Sequence, residues 1–274
     1  MGETAWYVIA FVLGLAFGSF ANVVVWRFPR GESLSVPGSH CPSCDHQIRW
    51  RDNIPVLSWL VLRSRCRDCG ATIHWRYPAI ELLSALLWVM AVREFGAPPQ
   101  AILAAVMFYV LLILAFIDLD IRRLPNPIVA ALAVIGMLAV IASQLAGIDL
   151  APLTHTGSSM SPLLSAAIGS LSAAGISLGI ASLYSGARGR QGLGMGDVKL
   201  LAALGPFLGV YTIGVLVLGS FLGTIWGIVA ASRSGDGGKT RFAFGPCLVA
   251  SAITMAVVGP EMWRWYAALV GLVP

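Results

Sequence analysis

Charge is what this 274-residue chain has least of: Asp, Glu, Lys and Arg make up 11% of it, while 57% is hydrophobic and the mean hydropathy is +0.81. A soluble domain carries about a quarter charged residues, so this scarcity excludes an ordinary soluble globule and indicates a polytopic membrane protein. No basic run is interleaved with aromatics, so the net charge of +5 is no sign of nucleic-acid binding. The first apolar window lacks a basic n-region and a small-residue cleavage site, and is expected to stay in the mature protein instead of being removed as a secretory signal. No G-x-G-x-x-G follows a strand pattern, which excludes a dinucleotide fingerprint.

A bilayer core needs roughly 20 apolar residues per helical span. Apolar windows lie near 5–26, 78–95, 101–117, 127–146, 163–184, 198–211, 212–231 and 242–260, which predicts an all-α fold of about eight transmembrane helices. The 198–211 window is short and runs into the next, so a re-entrant segment is an alternative there. With the N-terminus outside, segments 27–77, 118–126, 185–199 and 232–241 lie inside and hold sixteen of the eighteen basic residues, all but Arg93 and Arg264. Retention of positive loops in the cytoplasm thereby orients the chain. The expected organisation is a first helix over 1–26, a cytoplasmic insert over 27–77 and a membrane core over 78–274.

The insert carries Cys41-x-x-Cys44 and Cys66-x-x-Cys69, with 21 residues between the pairs. Two such turns can close a tetrahedral Zn²⁺ site, and four Cys ligands leave no open position for water, so the metal is expected to be structural. Two disulfides are the alternative, against which the reducing compartment counts. His40, His46 and His74 flank the cysteines as surface or supporting groups. Cys247 reads as a small buried hydrophobe.

Within this apolar background two carboxylates stand out, Asp118 in FIDLDIRRLPN and Asp197 in GLGMGDVKL. Ionisable groups at membrane depth usually face the bundle interior, a partner or water, and mark function. Both fall at the cytoplasmic ends of their spans, so they can meet. A pair of acids sharing a proton supplies one base and one proton donor, as hydrolysis by an activated water requires. The alternative is that each acid simply sits in a turn beside Arg or Lys. Glu81, about one turn into the second span, and Asn22, near the inner end of the first, are candidates for lining the same cytoplasmic-side cavity or for interhelical hydrogen bonds. Gly192, Gly194 and Gly196 permit close backbone approach before Asp197. The loop at 147–162, with a solvated His155, offers no readable chemistry.

Taken in order, GSFANVVVWRFPR, the paired CxxC knuckles, RYPAIELL, FIDLDIRRLPN, GMGDVKLLAALG and FAFGP resemble the type IV prepilin peptidases, the leader peptidase/N-methyltransferase family of GxGD-type intramembrane aspartic proteases. Presenilin-like proteases share GxGD but add a PAL motif, which is absent here. The resemblance implies that Asp118, seven residues before Pro125, and Asp197 are the catalytic pair, with Asp120 a neighbour. It implies a bifunctional enzyme of the bacterial inner membrane, with its active site facing the cytoplasm. Such an enzyme cleaves the leader of type IV prepilins or pseudopilins after a Gly, then methylates the new N-terminal amine with S-adenosylmethionine. Glu81 and Asn22 are the candidate cofactor contacts. A peptidase without methyl transfer and an ion-coupled transporter remain alternatives, the latter expected to show repeated halves.

Overall fold

The computed structural model describes residues 3–96, 98–154, 160–189, 193–234 and 243–271. Gly192, His155 and most of segment 232–241 lie outside these. Among the described residues the chain forms nine α-helices and no strand: α1 (Glu3–Arg27), α2 (Leu57–Val61), α3 (Arg76–Phe95), α4 (Pro98–Ile121), α5 (Asn126–Ala146), α6 (Pro162–Arg188), α7 (Met195–Leu208), α8 (Thr212–Ser234) and α9 (Gly245–Leu269). The all-α expectation is met. Each of the eight apolar windows overlaps a helix, but among the described residues six stretches are long and apolar enough to cross a membrane, so the count of eight was approximate. One of the six, Met195–Ser232, takes in α7 and most of α8. α3 falls outside them because Arg76, Glu81, Arg93 and Glu94 are spread along its 20 residues. Large apolar side chains such as Leu171, Leu183, Val217 and Phe221 point outward, a surface suited to lipid.

The chain divides into two compact units, 1–113 and 114–274. In the first, α1 and α3 run antiparallel at backbone contact. A Cβ on Gly14 would fall 2.5 Å from Ala85 Cα, and one on Gly18 would fall 2.6 Å from Glu81 Cα. One turn further on, Asn22 Nδ2 donates to the Tyr77 carbonyl at 3.2 Å. Small residues four apart thus let the helices touch, and a polar side chain joins them where the glycines end.

In the second unit α5 and α7 are parallel. Gly136 accommodates Phe207 near one end, and Lys199 Nζ donates to Asn126 Oδ1 at 3.0 Å near the other. α6 packs antiparallel to α7, with Gly169 against the Gly209 carbonyl and Gly205 against Ser170. α8 and α9 are also antiparallel, joined at Gly214–Met255 and Gly219–Leu248. Local signals set the ends of these elements: Pro125 and Pro127 open α5, and Gly147 at φ +64° closes it.

At about 1.5 Å per residue α7 is only ~21 Å long, short of a ~30 Å bilayer core. Its end is closed by the loop that sequence reading passed over. Leu153 N donates to the Phe207 carbonyl and Thr154 Oγ1 to the Leu208 carbonyl, both at 2.7 Å. Ser143 Oγ in turn accepts from Ala151 N at 2.9 Å. Broken helices are tolerated inside a membrane only when freed carbonyls find such partners. At Gly209, φ is +53°, so the chain turns directly into α8. Gly169→Ala would drive a methyl into the Gly209 carbonyl, so the variant should be about 1–3 kcal/mol less stable in detergent thermal unfolding.

Candidate active site and metal centre

Asp118 lies three residues before the end of α4 and is 5% exposed. Its Oδ2 accepts the Gly245 amide at 2.8 Å, which joins the end of α4 to the start of α9. A Cβ at Gly245 would sit 2.7 Å from that oxygen, so glycine is needed for the carboxylate to lodge there. Asp120, two residues on, is exposed. α4 is closed by Arg122, the residue after its end, whose φ of +53° reverses the chain while its amide returns to the Asp118 carbonyl at 2.8 Å.

Asp197 sits in the first turn of α7, where the helix dipole favours negative charge. Its carboxylate folds back over Gly194 and accepts that residue's amide. A Cβ on Gly194 would be 2.9 Å from Asp197 Oδ2. Gly196 makes room on its other side: a Cβ there would press on Leu124 at 3.1 Å, and Leu124 belongs to the buried link between α4 and α5. The two glycines of the GMGD element therefore do different work, one clearing the carboxylate and one docking α7 on the Asp118 segment. The ends of α4, α5, α7 and α9 converge here: the Asp118–Gly245 bond joins α4 to α9, and Gly196 seats α7 against the α4–α5 link. Sequence reasoning singled out both acids but missed Gly245 and Leu124. FAFGP and RRLPN were the visible signals.

In the insert, the four sulfurs of Cys41, Cys44, Cys66 and Cys69 all lie within 4.8 Å of one another. Cys41 Sγ and Cys69 Sγ are 3.8 Å apart. This is far beyond an S–S bond of about 2.05 Å and equals the edge of a tetrahedron with ~2.3 Å Zn–S bonds, about 3.8 Å. The Ser43 amide holds the Cys41 thiol down at about 7. The donor set fits zinc.

The two knuckles are copies of one unit. Ser39, Cys41, Cys44, Ile48, Trp50 and Arg51 recur 25 positions later as Ser64, Cys66, Cys69, Ile73, Trp75 and Arg76. Their backbones match bond for bond: Cys41 N to His46 O and Ile48 N to Ser39 O in one, Cys66 N to Ala71 O and Ile73 N to Ser64 O in the other. Left-handed turns recur at Asp45 and Gly70. The S-x-C-x-x-C-x-x-x-I-x-W-R repeat was legible and was not read. Arg67 Nε and Nη2 clamp the Asp52 carboxylate at 2.8 and 2.7 Å, which holds the Asp52 carboxyl below its ordinary range. This bond is present above the usual carboxylate pKa and fades as pH falls toward the depressed one.

Glu81 is buried, and its Oε2 accepts the Val56 amide at 2.7 Å. It lines a cavity of about 360 Å³ inside the insert, shared with Cys41, Cys66 and Trp59. Asn22 is instead engaged in the α1–α3 hydrogen bond described above.

Residues 12–95 match the bacterial peptidase A24 N-terminal domain, and residues 105–228 match the type IV leader peptidase family. A prepilin leader peptidase/N-methyltransferase of Myxococcus xanthus (strain DK1622) is 41% identical over 232 residues, 84% of this chain, and the match spans 65% of the relative's length. A type 4 prepilin-like proteins leader peptide-processing enzyme of Escherichia coli O78:H11 is 36% identical, covering 88% of this chain and 90% of that one. A prepilin leader peptidase/N-methyltransferase of Aeromonas salmonicida (strain A449) is 32% identical over 97% of this chain and 95% of its own. No solved structure matches the chain.

Proposed function

The chain belongs to the type IV leader peptidase family, and from that premise we propose that it removes the leader of prepilins or pseudopilins at the cytoplasmic face of the inner membrane and then methylates the new N-terminal amine. What supports the peptidase half is that Asp118 and Asp197 lie on helix ends that converge, each beside a glycine that clears space for its carboxylate. One ionised acid takes a proton from a water; the other, protonated, hydrogen-bonds the scissile carbonyl and stabilises the oxyanion. No acyl-enzyme forms. A prepilin's basic leader stays in the cytoplasm and its apolar segment enters the bilayer, which brings the junction to the level of the inner headgroups. Glycine at that junction loosens the helix, whose carbonyls are otherwise held in the backbone ladder. The cluster of positive charge in the inside segments supports this orientation.

For the second activity, S-adenosylmethionine when bound supplies an electrophilic methyl group. The chain's own task is to hold the cofactor and place the amine. An α-amino group of pKa about 8 is already partly neutral at physiological pH, so positioning matters more than a strong base. Glu81 is the proposed cofactor contact, with Asn22 fixing the helix pair that carries it. Zinc in the tetra-Cys site is structural, holding the two knuckles as one body. Purified protein should therefore contain one zinc per chain, and Cys41→Ser should lose it and expose the insert to proteases, as metal analysis and limited proteolysis would register; unchanged zinc content in the variant would remove the site.

The test is mass analysis of a detergent-solubilised prepilin incubated with the protein and S-adenosylmethionine. The expected product lacks its leader and is heavier by one methyl group. Cleavage alone would remove the methyltransferase half, and an untouched prepilin would remove both.

A further inference from the structure

We propose that the short helix α2 is a membrane wedge: its outward apolar stripe is seated in the inner leaflet of the bilayer that α1 crosses, and the arginines that follow it hold anionic lipid headgroups. α2 is amphipathic in the opposite sense to a helix on a soluble domain. Its polar and aromatic residues turn inward. Ser58 Oγ donates to the Arg51 carbonyl at 3.1 Å and accepts the Ile54 amide at 2.9 Å, and Trp59 Nε1 donates to the Ile73 carbonyl at 3.0 Å. Leu57, Leu60 and Val61 share the opposite face and are 53%, 59% and 67% exposed. Contiguous apolar surface of this kind marks an interaction site. The run IPVLSWLVL is too short to span a bilayer, which leaves an interfacial position.

Two bonds set the level of the stripe. Val56, the residue before α2, donates its amide to Glu81 Oε2 at 2.7 Å. Glu81 is five residues into α3, about 8 Å at 1.5 Å per residue, and packs against Gly18 within the apolar stretch of α1. Trp59 is tied to Ile73, just before α3 begins. α2 therefore lies beside the first turns of α3, at the depth of ~5–10 Å to which interfacial helices bury their apolar face. The knuckle repeat points the same way. After Trp75 and Arg76 the second copy runs into α3; after their counterparts Trp50 and Arg51, the first copy runs into the apolar stretch that holds α2. Both tryptophans are exposed, as those of a membrane interface are.

Charge selects the occupant. Arg49 and Arg67 are matched by Asp68 and Asp52, whereas Arg63 and Arg65 are exposed and have no carboxylate partner among the described residues. Lipid phosphate lies at the same level as the stripe and supplies the missing charge. A basic leader would be repelled there, and a second copy laid on the stripe would bring the same arginines together.

The experiment puts a photoreactive side chain in the stripe of the full chain, Leu60→p-benzoylphenylalanine, in vesicles of phosphatidylcholine with phosphatidylglycerol. Leu171→p-benzoylphenylalanine, on the outward face of α6, is the reference. Mass analysis of the irradiated protein should find lipid adducts at Leu60 within about threefold of the reference, as burial at the acyl boundary requires. Adducts to a second chain or to added prepilin in place of lipid, or no adduct, overturn the wedge. Charge is read by amide hydrogen exchange over 57–62. The attraction of one arginine to an anionic surface amounts to about fivefold in an equilibrium constant. Omitting phosphatidylglycerol, or Arg63→Gln with Arg65→Gln, should therefore speed exchange by at least about fivefold. Exchange unmoved by the loss of phosphatidylglycerol overturns the assignment of anionic lipid. Zinc content reports the folding of each variant; if a variant loses its zinc, the comparison of the two lipid compositions on the unaltered protein decides.

Discussion

Asp118→Asn and Asp197→Asn should each slow leader removal by at least about 10²–10⁴-fold, the contribution expected of a positioned acid or base. Both should leave the protein folded in the membrane. Asn preserves the volume of Asp, and in Asp118→Asn the side-chain amide oxygen would still accept the Gly245 amide that fixes the start of α9. What Asn cannot do is exchange a proton with water or with its neighbour. The exposed Asp120 provides the contrast: Asp120→Asn should change cleavage little, because that residue is exposed where Asp118 is buried. Cleavage of a radiolabelled prepilin over time, normalised to folded enzyme, separates these outcomes. Substantial processing by both Asp118→Asn and Asp197→Asn would refute the pair.

The second large effect is expected at a residue that carries no chemistry. Gly245→Ala would place a methyl 2.7 Å from Asp118 Oδ2 and 3.0 Å from its Cγ. The glycine opens α9 with Pro246 beside it, so the backbone there has little room to retreat. The carboxylate must therefore swing away and lose the amide that orients it. Misplacement of a reacting group by about 1 Å costs on the order of 10²-fold, and cleavage should fall by about that much, with the fold intact by thermal unfolding. Gly175→Ala is the matching control. Nothing lies within 4 Å of a Cβ there, and the residue is inside α6. The change should leave cleavage unaltered and raise stability by up to about 1 kcal/mol. Normal cleavage by Gly245→Ala would mean that the Asp118–Gly245 contact does not set the working geometry.

Much of this was legible because a membrane protein spends its few polar residues sparingly. The helices appear as apolar windows, and Asp118, Asp197 and Glu81 stand out against them. The paired CxxC spacing led directly to four sulfurs within 4.8 Å. What stayed hidden depends on contacts between distant segments. Nothing in the local pattern around Gly245 says that it faces Asp118, 127 positions earlier. The 147–154 loop looked inert because its work is done by backbone amides and one Thr hydroxyl on the far end of α7, and backbone groups leave little trace in composition. The span count drifted because α7 is short, Gly209 turns the chain without a polar loop, and α3 carries its charges inside an apolar window. The knuckle repeat was present in plain letters; its 25-residue period is simply too short to suggest a duplicated domain.

The most direct test of the central claim compares the cleavage rates of Asp118→Asn, Asp197→Asn and the double variant on one prepilin. If the acids act as a unit on a single water, removing the second costs nothing further, since effects within a catalytic unit do not add; the double variant should be no slower than the slower single one. Losses that multiply in the double variant, or a single Asn variant that works at the wild-type rate, would contradict the account.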